Sequence, residues 1–135
     1  MDHSPKKILI IGGGIAGISL ASFLQDDKEY EITIIERASA WRTIGYAVGI
    51  WANGLEILKK LNLSNNFWEN TTLTKKGAIM NTKGKIVFDV PASQIGIPEI
   101  ARTVERDLLH KAITQGLSGN INIRFNTDFV DIKQG

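Results

Sequence analysis

The chain contains no cysteine. Disulfides, thiolate metal sites and a cysteine nucleophile are therefore excluded, and a reducing compartment suits such a composition. Its two histidines are far apart, with no His-x-x-x-His pair and no paired-acid spacing, so no metal site is expected. A Gly-x-Ser-x-Gly elbow and a P-loop lysine are also missing. Charge is nearly balanced, 16 basic against 14 acidic residues, with no run of five like charges, which argues against nucleic-acid and membrane-surface partners. Ile8 to Leu24 is the longest apolar stretch near the start, but four glycines and two serines interrupt it. It is too polar for a membrane span, and Met1 to Pro5 lacks the basic segment of a signal peptide, so a cytoplasmic location is expected. Internal repeats and low-complexity tracts are absent. Any chemistry must then reside in a bound cofactor, with the protein supplying position and electrostatics.

What the sequence does have is concentrated near its start. With 43% hydrophobic residues, 135 residues suffice for about one domain and a real core. Lys7-Ile8-Leu9-Ile10-Ile11 runs straight into Gly12-Gly13-Gly14-Ile15-Ala16-Gly17, and a helical pattern to about Gln25 follows. The uninterrupted branched residues of 6–11 predict a central parallel strand covered on both faces. Gly12 would allow the turn, Gly14 would leave room for a pyrophosphate, and Gly17 would let the helix pack on the strand. The helix start offers free N–H groups and a positive dipole end to phosphates. A second apolar run, Ile32 to Ile35, ends at Glu36, nineteen residues after Gly17. A carboxylate there can accept from both ribose hydroxyls of an adenosine and would repel a 2′-phosphate. These features predict a Rossmann-like βαβ unit for an adenine dinucleotide, NAD or FAD.

Downstream signals are weaker. Residues 73 to 90 alternate loosely around Asn81-Thr82-Lys83-Gly84, a hairpin signal. Pro91 to Pro98 reads as a loop, Glu99 to Thr103 as a short strand and Val104 to Ile113 as a helix with Leu109 and Ile113 facing the core. Ile121 to Phe125 and Phe129 to Ile132 read as two further strands. Trp41, Trp51, Phe67 and Trp68 are expected to pack, and His110 to be solvated or hydrogen-bonded.

Two blocks narrow the cofactor. Glu36-Arg37-Ala38, Trp41-Arg42, Gly45, Val48, Asn53 and Leu55 resemble, without a gap, the E-R-A-x-x-F-R-x-x-G-x-G-I segment of the group A flavoprotein monooxygenases, the family of p-hydroxybenzoate, salicylate and urate hydroxylases. Val104-Glu105-Arg106-Asp107-Leu108-Leu109 is similar to that family's V-x-R-x-x-L helix. Ala47, Ala52 and Asn62 depart from the pattern. The resemblance implies a glutathione-reductase-type α/β FAD-binding domain with the beginning of a β-sheet substrate domain: a βαβ unit and helix over 1–72, the start of the substrate sheet over 73–103, and a helix and strands returning to the FAD domain over 104–135.

It further implies that Gly12, Gly13, Gly14, Ile15 and Ala16 line the FAD pyrophosphate and that Glu36 binds the ribose. Arg37 would lie beside the adenine, Arg42 and Arg106 near the phosphates and ribityl chain, and Val130 would give a backbone contact to adenine. The implied reaction is hydroxylation of an aromatic or similar small substrate with NAD(P)H as reductant and O2, behind a water-excluding wall to which loops near 43–52 contribute. No catalytic residue is identified. Members of that family run to nearly three times this length, so the expectation is an N-terminal portion, inactive in isolation: a fragment, a truncated gene product, or one piece of a split enzyme whose partner is the missing C-terminal part. The alternatives are an NAD-binding Rossmann domain of a dehydrogenase and a non-catalytic remnant.

Overall fold

A computed structural model describes residues 4–42, 45–61, 63–91, 94 and 101–133. The chain divides into two compact units, Met1–Ile44 with Asp107–Gly135, and Gly45–Arg106.

The first unit contains the βαβ motif. Strand β1 (Lys6–Ile11) leads through the glycine turn into helix α1 (Ile15–Leu24), and β2 (Tyr30–Ile35) returns parallel to β1, with Ile8 opposite Ile32 and Ile10 opposite Ile34. Helix α4 (Arg106–Gln115) then leads to β8 (Asn122–Arg124), which pairs parallel with the other edge of β2. This is the α/β fold with a parallel βαβ sheet expected from the sequence. The sheet order is β1-β2-β8, so β2 is the central strand among the described residues and β1 lies at an edge. Burial follows that order: Ile32, Ile34 and Ile35 are buried, whereas Leu9 and Ile11 are more than half exposed. The expectation of a β1 covered on both faces is therefore corrected. Its branched run packs on one face through Ile10, and strand pairing is supplied from one side only.

Helix α1 buries Ile18 and Ala21 completely, while Leu20 and Phe23 face outward. Its two ends are held against the α4 region. At the far end Gln25 donates to the Gly116 carbonyl (3.2 Å) and accepts from Ser118 N–H (2.7 Å). Leu109 and Ile113 of α4 are buried, as their spacing predicts.

The second unit is built from antiparallel strands. Strand β3 (Ala47–Trp51) and β4 (Thr72–Thr74) flank β7 (Ala101–Glu105), with Val48 opposite Val104. Helices α2 (Ala52–Lys60) and α3 (Asn65–Glu69) bury Leu55, Leu58 and Phe67, and Ser64 caps α3 by accepting from Phe67 N–H. Strands β5 (Lys76–Met80) and β6 (Ile86–Pro91) form the expected hairpin. Asn81 holds its turn, accepting from Lys83 and Lys85 N–H at 3.0 Å, and Gly84 takes a positive φ of 76°.

Several expectations change here. The stretch 47–51 is a strand and not a loop, because β7 supplies it with a full antiparallel partner. Val104 and Glu105 complete β7, and the helix begins only at Arg106, whose N–H donates to the Tyr46 carbonyl at 2.9 Å. Residues 43–44, 92–93 and 95–100, on which parts of the expected loops and of the Glu99 to Thr103 strand fall, lie outside the described residues. Phe129 to Ile132 is not a strand: the carboxylates of Asp128 and Asp131 accept from the next residues' N–H groups, at 2.9 and 2.8 Å, and engage them locally instead of in a ladder. Trp51, expected to pack, is 65% exposed.

Candidate functional site

The glycine turn lies where β1 ends. Gly12 still belongs to the β1–β2 ladder, its N–H donating to the Ile35 carbonyl at 2.8 Å, but its φ of 97° turns the chain away from the sheet. That conformation favours glycine because a Cβ would clash with the backbone. The other glycines answer to their surroundings. A Cβ on Gly17 would overlap the Gly12 carbonyl oxygen, so helix and turn can approach only without one. A Cβ on Gly13 would overlap the Trp41 ring, which lies directly over it. At Gly14, by contrast, nothing of the protein lies within 4 Å of where a Cβ would be, and φ is an ordinary −73°. Gly14 is the N-cap of α1 without any side-chain cap, so the first N–H groups of the helix are not covered by a capping side chain.

Glu36 stands beside the turn at the end of β2. One carboxylate oxygen accepts from Gly13 N–H and the other from Ala38 N–H, both at 2.9 Å. These two backbone bonds, Ala38 first, hold its pKa below the usual 4.5; partial burial opposes them, and the charges of Arg42 and Arg37 add to the lowering. Glu36 is thus an anion at neutral pH. An ionised carboxylate has about four acceptor positions, so two remain for hydroxyl donors.

A cavity of about 140 Å³ opens next to this carboxylate. Ile11, Gly12, Ile35, Glu36 and Arg37 line one side, and Thr127, Asp128 and Phe129 the other. Short backbone bonds register the two walls: Glu36 N–H donates to the Arg124 carbonyl (2.9 Å), and Thr127 N–H to the Glu36 carbonyl (3.0 Å). Asn126, at φ 53°, donates to the Ala38 carbonyl and turns the chain out of β8 towards the cavity.

The structure brings Gly12, Gly13, Gly14, Ile15, Ala16, Glu36 and Arg37 together in the first unit, with Arg42 exposed but near enough for its charge to act on Glu36. Val130 lies just beyond the cavity wall and is 92% exposed; the residues of that segment that line the cavity are Thr127, Asp128 and Phe129. Arg106 is the last residue of the second unit and is half-buried.

Sequence reading missed a cluster behind the turn. His110 is buried, and its Nε2 lies 2.7 Å from the Gly13 carbonyl oxygen. Trp41 meets the His110 ring edge-to-face at 5.2 Å and the Phe125 ring at 4.8 Å. One signal for it was available: on a helical wheel His110 falls about 60° from Ile113, at the border of the face that Leu109 and Ile113 bury.

Among the described residues no helix is long and apolar enough to cross a membrane, and no group of three or more His, Cys, Asp or Glu side chains could hold a metal ion.

The profile of the family described as FAD dependent oxidoreductase matches residues 7–120. A FAD-dependent monooxygenase of Sarocladium schorii is 33% identical over 91 residues, covering 67% of this chain and 22% of that protein. Monooxygenase 1 of Arabidopsis thaliana is 29% identical over 127 residues, covering 94% and 31%. Among solved structures, p-nitrophenol 4-monooxygenase from Pseudomonas putida superposes with a TM-score of 0.84 at 16% identity, over 100% of this chain and 35% of that one, which establishes the likeness of fold. The chain spans between a fifth and a third of the length of the two curated relatives.

Proposed function

The chain belongs to the FAD dependent oxidoreductase family, and on that basis we propose that its first unit holds the adenosine diphosphate half of FAD as part of a flavoprotein monooxygenase. The observation that carries the reading is Gly14. Of the turn glycines at 13, 14 and 17, it alone has open space where a Cβ would be, at the uncapped start of α1. Free volume in front of a helix N-terminus is what a diphosphate requires. The neighbouring cavity, with ionised Glu36 in its wall, suits the adenosine. The residues present therefore fit the cofactor.

In this reading Gly14, Ile15 and Ala16 present N–H groups to the diphosphate, and the free acceptor positions of Glu36 take the ribose hydroxyls. Arg37 borders the adenine, and Arg42 supplies charge for the phosphate region. Phe129 and Val130, on the far wall and just past it, complete the adenine side. Bound FAD would supply the redox chemistry, accepting reducing equivalents from NAD(P)H and activating O2 for hydroxylation of a small aromatic substrate. The monooxygenase assignment rests on the relatives named above.

Flavin fluorescence titration of the purified chain tests this. Saturable quenching of FAD is expected, displaced by ADP and displaced less well by 2′-phospho-ADP, because a 2′-phosphate would face the Glu36 carboxylate. No quenching at any FAD concentration, with NADH bound instead, would overturn the reading in favour of a dehydrogenase-type NAD domain.

A further inference from the structure

We propose that His110 is a positioning residue for the dinucleotide, acting through the carbonyl of Gly13 and not by touching the ligand; this rests on the FAD reading above. A carbonyl oxygen can only accept, so the 2.7 Å contact requires a proton on Nε2, which donates to Gly13. The bonded carbonyl belongs to the Gly13–Gly14 peptide. No described peptide bond is cis, so this plane is trans and its N–H, that of Gly14, points away from His110. Fixing the carbonyl therefore aims the first N–H of the phosphate site. The preceding peptide is fixed from the other side, where Gly13 N–H donates to Glu36.

A triple-glycine turn needs such restraint, because glycine has the largest backbone freedom to lose when a ligand orders it. Three features make His110 a rigid anchor. Its ring is buried and braced edge-on by Trp41. Trp41 is itself braced by Phe125 and covers Gly13. The α4 region is tied a second time to α1 through Gln25, Gly116 and Ser118, which sets where His110 meets the turn. Donation to the carbonyl also polarises the Gly13–Gly14 peptide and makes Gly14 N–H a better donor.

The test compares His110→Gln, which retains an N–H donor at similar reach, with His110→Leu, which retains bulk and loses the donor. Gly14 N–H is followed by amide NMR in the ligand-free protein, and FAD affinity by titration. His110→Leu should shift the Gly14 amide resonance and weaken FAD about tenfold. His110→Gln should return both readouts towards wild type. If both variants leave the Gly14 amide unchanged, or both disturb it equally, the bond does not position the turn and the proposal fails. Wild-type protein that takes up no FAD would sink the functional reading separately, since the amide readout needs no ligand.

Discussion

On its inner side the turn at residues 12–17 is packed against Trp41, Ile10 and a backbone carbonyl, whereas on its outer side Gly14 faces open space. The same residue type serves two ends. Inside, the missing side chains permit the approach of helix, strand and indole, so those glycines belong to stability. Outside, no protein atom uses the vacated volume, so Gly14 belongs to function. A second contrast runs between units. Glu36 has both oxygens engaged by backbone N–H groups, while the β5–β6 hairpin exposes Ile79, Met80, Val87 and Phe88 and carries a solvent-facing Lys76–Asp89 pair at 3.4 Å.

The sharpest way to break the inner side is Gly17→Ala. The new methyl would meet the Gly12 carbonyl, which is backbone and cannot swing aside, so a loss of about 3 kcal/mol is expected in urea unfolding. Gly13→Ala meets a side chain, and Trp41 can yield somewhat at the cost of its contacts with His110 and Phe125; about 1–2 kcal/mol is expected by the same measurement.

Glu36→Gln probes the electrostatic part. Because the folded-state pKa is lowered, ionised Glu36 contributes stability that is fully present above the usual value of 4.5 and is lost as pH falls through the lower folded value. The melting-temperature gap between wild type and Glu36→Gln should therefore be widest near neutrality and close on acidification. A gap that widens in acid would contradict this assignment. The smallest effect is expected on the hairpin: Val87→Thr, on an exposed strand position, should change unfolding free energy by less than about 0.5 kcal/mol.

The βαβ unit was legible because its signals are local. A branched run, a glycine with positive φ and an acidic residue at a fixed distance each act within a few residues of where they are read. Strands β3 and β4 were not, since five- and three-residue strands owe their existence to β7, more than about fifty residues on from most of β3 and about thirty from β4. The run at Phe129 to Ile132 misled for the converse reason: its composition is strand-like, but no partner lies beside it among the described residues and two aspartates supply local acceptors. Within the site, glycines and Glu36 were readable as a motif. Trp41, His110 and Phe125 were not, because nothing in the sequence states that residues so far apart meet behind one peptide group. Thr127 and Asp128 were missed because a positive φ at Asn126, not a sequence motif, turns them to the cavity.

The most direct measurement is Gly14→Val, with unfolding and FAD titration followed on the same protein. The backbone there accepts any side chain and no protein atom lies near the new Cβ. The account predicts an unfolding midpoint close to wild type together with loss of FAD binding, because the branched side chain fills the space in front of α1. Undiminished FAD affinity in a folded Gly14→Val protein would contradict it.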